Sequence, residues 1–77
     1  MTQGPEQTIT DTIRELITRR GDTPPEITHE SKIGPDLDLD SLELAELSAA
    51  LEDELGSDPY SQGIIPATVG ELVAFYA

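Results

Sequence analysis

Cysteine is absent from the 77 residues, and so is tryptophan. Without cysteine the chain can form no disulfide and offers no thiolate to a metal, which fits a reducing compartment. Basic residues are nearly as scarce. Arg14, Arg19, Arg20 and Lys32 stand against sixteen acids, for a net charge of -12. From Ile33 to Ala77 there is no Lys, Arg or His at all. A surface of that sign repels nucleic acid backbones and anionic membranes and suits partners with basic patches. No apolar run approaches the roughly 20 residues of a membrane span. The opening MTQGPEQTITDTIREL lacks the basic start and apolar stretch of a secretory signal. A cytoplasmic protein, with neither nucleic acid nor membrane as partner, is the expectation.

What the chain does have is apolar residues at helical spacing, too regular for a disordered polyanion. Its length predicts one domain over 1–77, burying only about 60% of its unfolded surface. Ile9, Ile13, Leu16 and Ile17 follow i, i+4, i+7, i+8 behind Pro5 and stop at Gly21, which predicts a helix over about Glu6 to Arg20. The next segment carries Pro24, Pro25, Gly34 and Pro35 and reads as a long loop, anchored by Ile27, Ile33, Leu37 and Leu39. Leu44, Leu47, Leu51 and Leu55 predict a second helix over Asp40 to Leu55, ended by Gly56. Leu42, Ala45 and Ala49 are expected to widen its apolar stripe. Asp40 with Glu43 has the spacing of a capping box. PYSQGIIP, between two prolines and broken by Gly63, predicts a single short helical turn, with Ile64 and Ile65 in the core. Thr68 and Glu71 form a second capping-box pattern, opening a last helix to about Tyr76. No segment reads as a strand. The expected fold is all-α, a small four-helix bundle of three main helices and a short third one, with a long loop between the first two.

The stretch DLDLDSLELAEL, residues 36–47, carries the functional question. Asp36, Asp38 and Asp40 match positions 1, 3 and 5 of a helix–loop–helix calcium loop. Ser41 then stands where glycine must turn the chain, and Leu47 where a bidentate glutamate must close the site. A nucleophilic serine needs a base, and the only histidine, His29, lies twelve residues upstream in the proline-rich loop. A plain helix-capping segment is a third possibility. The fourth is covalent modification. A serine in the first turn after an acidic loop is reachable by another enzyme, and the positive end of the helix suits an attached phosphate.

LDLDSLELAELSAALEDELG, with its Asp40-Ser41-Leu42 core, resembles the acyl carrier protein family, of the free-standing type. The long first loop, the short third element and the closing TVGELVAFY extend the likeness over nearly the whole chain. The resemblance implies that Ser41 carries a 4′-phosphopantetheine arm, installed from coenzyme A with Mg²⁺ by a phosphopantetheinyl transferase, with Asp40 and Leu42 flanking the attachment point. The arm's thiol would hold cargo as a thioester, so the protein is a shuttle rather than an enzyme, and a monomer. Glu43, Glu46, Glu52 and Asp53 match docking positions of the family, with Leu42 and Ala49 as apolar contacts. The implied partners are an acyl- or aminoacyl-loading enzyme and a ketosynthase or acyltransferase with basic docking patches.

Two departures bear on the pathway. The family often has glycine three residues before the serine, and here it is Asp38. The third-helix region, usually acidic, is here YSQGII. These favour polyketide or related specialised biosynthesis over housekeeping fatty acid synthesis, with aminoacyl, peptidyl or D-alanyl carriers as near variants. From a different class, a small acidic adaptor or a divalent-ion binder shares the composition.

Overall fold

A computed structural model describes residues 4–77. Three α-helices follow one another, α1 (Pro5–Arg19), α2 (Ser41–Leu55) and α3 (Val69–Phe75), with one turn of 3₁₀ helix at Tyr60–Gln62 before α3. The all-α class holds. The bundle has three α-helices, and the expected short third helix is only that single 3₁₀ turn. The reason is local: Gly63 ends the turn at φ 78°, a left-handed conformation, and Pro66 cannot continue a helix.

Each boundary has a visible cause. Pro5 occupies the first turn of α1, where its missing N–H costs nothing. Beyond Arg20, Gly21 turns the chain away at φ 93°. Asp40 caps α2: its carboxylate accepts from the Glu43 N–H, and the Glu43 carboxylate accepts from the Asp40 N–H. Gly56 closes α2 at φ 86°. Thr68 caps α3 through the Glu71 N–H, but the return bond differs from a full box. Glu71 accepts from the Thr68 hydroxyl rather than from its backbone.

The helices meet around one core. α1 contributes Ile9, Ile13, Leu16 and Ile17, α2 Leu47 and Leu51, and α3 Val69 and Leu72. The long loop adds Ile33, Leu37 and Leu39, all buried, with Ile27 partly buried against them. That answers how so long a connection stays ordered in so small a domain. It is also stitched to the approach to α3. Lys32 and Thr68 form an isolated antiparallel bridge. Ile33 donates to the Ala67 carbonyl at 3.0 Å, and the Val69 and Gly70 N–H groups donate to Ser31 and His29 carbonyls at 3.0 and 2.9 Å. Two orphan donors of the first turn of α3 are thereby satisfied by the loop. At Gly70 the approach leaves no room for a side chain, since a Cβ would lie 2.9 Å from the His29 carbonyl oxygen.

Two expectations about the core fail. Ile64 and Ile65 are 48% and 79% exposed, because they follow the turn at Gly63, and the buried positions on either side of this segment go to Pro59 and Pro66. On α2, Leu42, Ala45 and Ala49 do not widen the buried stripe. Only Leu47 and Leu51 are fully buried, with Leu44 and Leu55 half-buried beside them. The helix lies against α1 on a narrow seam, so residues about half a turn away face solvent.

Candidate functional site

Ser41 is the first residue of α2 and is exposed. Among the described residues no group accepts from the N–H of Ser41 or Leu42, whereas the Glu43 and Leu44 N–H groups are held by the side chain and carbonyl of Asp40. Two backbone donors therefore remain free beside the hydroxyl. An attached phosphate fits there, although the Asp40 carboxylate already occupies part of the positive helix end.

The segment leading to Ser41 is held by a residue that the sequence pattern marked only as the end of α1. The Arg20 guanidinium donates to the Glu43 carboxylate and the Asp38 carbonyl at 2.7 Å each, and to the Leu37 carbonyl at 3.1 Å. Its Nε donates to Asp22 at 2.7 Å. Partial burial opposes its charge, but the bonds to Asp22 and Glu43 outweigh that and hold its pKa above the ordinary arginine value. Asp38, between the clamped carbonyls and Asp40, sits at φ 53°. Glycine favours that conformation and aspartate tolerates it. A glycine at this position would adopt that φ without strain.

The docking residues expected from sequence separate into two groups. Leu42 is 68% exposed, and Glu46, Ala49, Glu52 and Asp53 are exposed with it. Leu42, Glu46, Ala49 and Asp53 recur at i, i+4, i+7 and i+11, one continuous outward face. Glu46 has only a loose contact with Arg19, at 3.7 Å. Glu43 is different: it is 9% exposed, and its carboxylate serves the cap and the Arg20 bond. Between the end of α1 and the start of α2, Leu16, Arg19, Arg20, Leu42 and Glu46 border an open depression of about 480 Å³.

The other two readings of the acidic loop meet their geometry here. Among the described residues no three carboxylates or imidazoles converge as a metal site would require. Asp36 accepts from the Lys32 N–H and Asp40 from the Glu43 N–H, so two of the three loop aspartates serve backbone donors. His29 pairs with Glu6 at 3.0 Å in the first turn of α1. Arg20, which bonds to Asp38 and Glu43 on either side of Ser41 in sequence, follows the opposite end of that helix, about 21 Å away at 1.5 Å per residue. The histidine therefore lies far from the serine.

Beyond α2, Asp58 is a second polar centre, and sequence reasoning counted it only as one more acid. It is buried and accepts from the Ser48 and Ser61 hydroxyls at 2.7 and 2.9 Å and from the Ser61 N–H at 3.0 Å. Burial alone would raise its pKa, but these bonds hold it below the ordinary carboxylate value. Asp58 three residues before Ser61 is a turn-capping pattern, so a local signal was present. Nearby, the Tyr76 hydroxyl donates to the Ser57 carbonyl at 2.8 Å. Among the described residues the buried Tyr60 hydroxyl has no partner. Burial, with Tyr76 and Asp58 adding to it, pushes the Tyr60 pKa up to about 12.

Compared with known protein families, with curated proteins and with solved structures, the chain matches none.

Proposed function

We propose that this chain is an acyl or aminoacyl carrier, with Ser41 as the attachment residue for a 4′-phosphopantetheine arm. The observation that carries the reading is the setting of Ser41. Its hydroxyl is exposed in the first turn of α2, with exposed Leu42 beside it and an outward acidic face running on through Glu46, Glu52 and Asp53. The arm supplies the thiol that a chain without cysteine lacks.

The chain's own residues have three tasks. Ser41 Oγ accepts the phosphopantetheinyl group from coenzyme A. A bond forms from Oγ to the phosphorus that bears pantetheine, the pyrophosphate bond breaks, adenosine 3′,5′-bisphosphate leaves, and the serine proton passes to a base of the transferase. Asp40, Glu43 and Arg20 hold the loop and first turn so that the hydroxyl is presented in one place. The outward face of α2 meets basic patches on the transferase, on the loading enzyme and on a ketosynthase or acyltransferase. Contacts of this kind speed encounter and select partners without making the complexes long-lived. The non-acidic Tyr60–Ile65 segment favours a specialised pathway, such as polyketide assembly, over general fatty acid synthesis.

The test is intact-protein mass after incubation with coenzyme A, Mg²⁺ and a broad-specificity phosphopantetheinyl transferase, with Ser41→Ala in parallel. One arm on the wild type and none on the variant is the expected result. An unmodified wild type beside a control carrier modified in the same mixture would overturn the reading.

A further inference from the structure

The carboxylates along the outward side of α2 differ in how free they are. Glu43 is closed, since its carboxylate is held by Arg20 at 2.7 Å and by the Asp40 N–H at 3.1 Å. Glu52 and Asp53 are exposed, and among the described residues no base pairs with either. Glu46 lies between these cases. Its carboxylate is open to solvent in part and faces the Arg19 guanidinium at 3.7 Å.

Arg19 is the last residue of α1, and its guanidinium is shared. Nη2 donates to Glu15 at 2.8 Å, one turn back on the same helix, while Nη1 reaches across the seam to Glu46. The planar guanidinium fixes these two nitrogens relative to each other, so the bond to Glu15 aims the second one at α2. Arg19 and Glu46 both line the two depressions along that seam, of about 480 and 310 Å³, so the pair is open to an approaching side chain. An ion pair this exposed is weak and exchanges readily. A second cation that approaches Glu46 meets the carboxylate and the positive charge beside it. Like charges repel at that range, so full pairing requires Arg19 to swing away.

We propose that Arg19 is a built-in competitor at Glu46, which lowers the affinity of any partner whose basic residue docks there. Arg19 can leave because Glu15 remains as its other partner. Glu52 and Asp53 carry no such competitor, so the penalty falls on partners that reach the half of α2 nearer Ser41. Arg19 thus acts on specificity through Glu46 rather than by touching the attachment residue. As a statement about carrier partners this rests on the carrier reading. It also gives a reason for brief docking, since each complex forms against an internal contact that returns on release.

The contact is tested first on the unmodified protein, so the result does not depend on an attached arm. A tetra-arginine peptide is titrated at low salt, following the side-chain carboxylate carbons of Glu46 and Glu52 by NMR. Arg19→Gln is expected to bind the peptide about three-fold more tightly than the wild type, the scale of one exposed ion pair. Arg14→Gln removes the same charge from α1 but frees Asp11 rather than Glu46. It measures the general electrostatic gain and should give less. With Glu46→Gln in place, Arg19→Gln should gain no more than Arg14→Gln does. Equal gains from the two arginine variants, or an extra gain from Arg19→Gln that survives in Glu46→Gln, would overturn the inference. Docking is tested separately, by the kinetics with which a phosphopantetheinyl transferase modifies Ser41. Arg19→Gln should lower KM about three-fold with kcat unchanged. Failure to modify wild type and variant alike overturns the carrier reading and leaves the peptide result standing. Modification with an unchanged KM overturns the role of Arg19 in partner docking alone.

Discussion

Arg20 reaches Glu43 across the end of the bundle at 2.7 Å, joining the residue after α1 to the first turn of α2. The same guanidinium holds the Leu37 and Asp38 carbonyls, so one side chain determines where the loop delivers Ser41. Truncating either partner should loosen that delivery. Glu43→Ala removes the cap bond to Asp40 and the bond to Arg20, and should cost about 1–3 kcal/mol, measured by urea unfolding. Arg20→Gln should also lower the melting temperature. In both variants amide hydrogen exchange at Asp40 and Glu43 should speed up. Unchanged exchange at both amides would show that the clamp does not hold the Ser41 turn.

Asp58 predicts a specific acid response. Its folded-state pKa is lowered, so its contribution is present above the unfolded value of about 3.9 and is lost as pH falls through the lower folded value. Asp58→Asn should be less stable than the wild type near neutrality, and the gap should narrow below about pH 4. The comparison must be made between the two proteins. Protonating the other acids relieves repulsion in both and would hide the effect in either alone. A gap that does not change with pH would remove the carboxylate from the account.

Tyr60 predicts the alkaline counterpart. Its pKa is raised to about 12, so stability is intact below the ordinary tyrosine value of about 10 and is lost as pH rises through the folded value. Tyr60→Phe deletes a buried hydroxyl that has no partner among the described residues. It should match or exceed the wild type near pH 7 and lose less stability between about pH 10 and 12. Chemical unfolding at the two ends of that window measures it. A Phe variant clearly less stable near neutrality would mean that the hydroxyl is bonded.

Backbone geometry gives a paired prediction. Gly70→Ala sets a Cβ 2.9 Å from the His29 carbonyl oxygen and should cost about 1–3 kcal/mol, because the loop must move away from α3. Asp38→Gly should fold at least as well as the wild type. Asp38→Val should lose about 1–2 kcal/mol at φ 53°. Equal melting temperatures for the Gly and Val variants would refute the strained turn before Ser41.

The charge itself sets the response to salt. With a net charge of -12, self-repulsion weakens the compact state at low ionic strength. Sodium chloride or Mg²⁺ should raise the melting temperature, most steeply below about 0.1 M, where the Debye length shortens fastest on the scale of the domain. A melting temperature insensitive to both would contradict the picture of clustered, solvent-facing carboxylates.

The local elements and the place of Ser41 could be read from residues alone. The i, i+4 spacing of Ile9 and Ile13, the Asp40–Glu43 box and the terminal glycines are short-range signals, and each acts on the few residues beside it. The anchoring of the long loop by Ile33, Leu37 and Leu39 was legible for a related reason, since isolated apolar residues in a polar loop must find a core. Tertiary structure decided what depends on partners distant in sequence. Arg20 looked like a helix-end cation and is a clamp, because Glu43 lies 23 residues away. Ile64 and Ile65 looked like core and are exposed, because Pro59 and Pro66 take the inward positions. Leu42 and Ala49 looked like stripe and face outward, because only the packing angle of α2 on α1 says how wide its buried seam is. Gly70 carried no signal at all, since the His29 carbonyl that excludes a side chain is brought there by the loop.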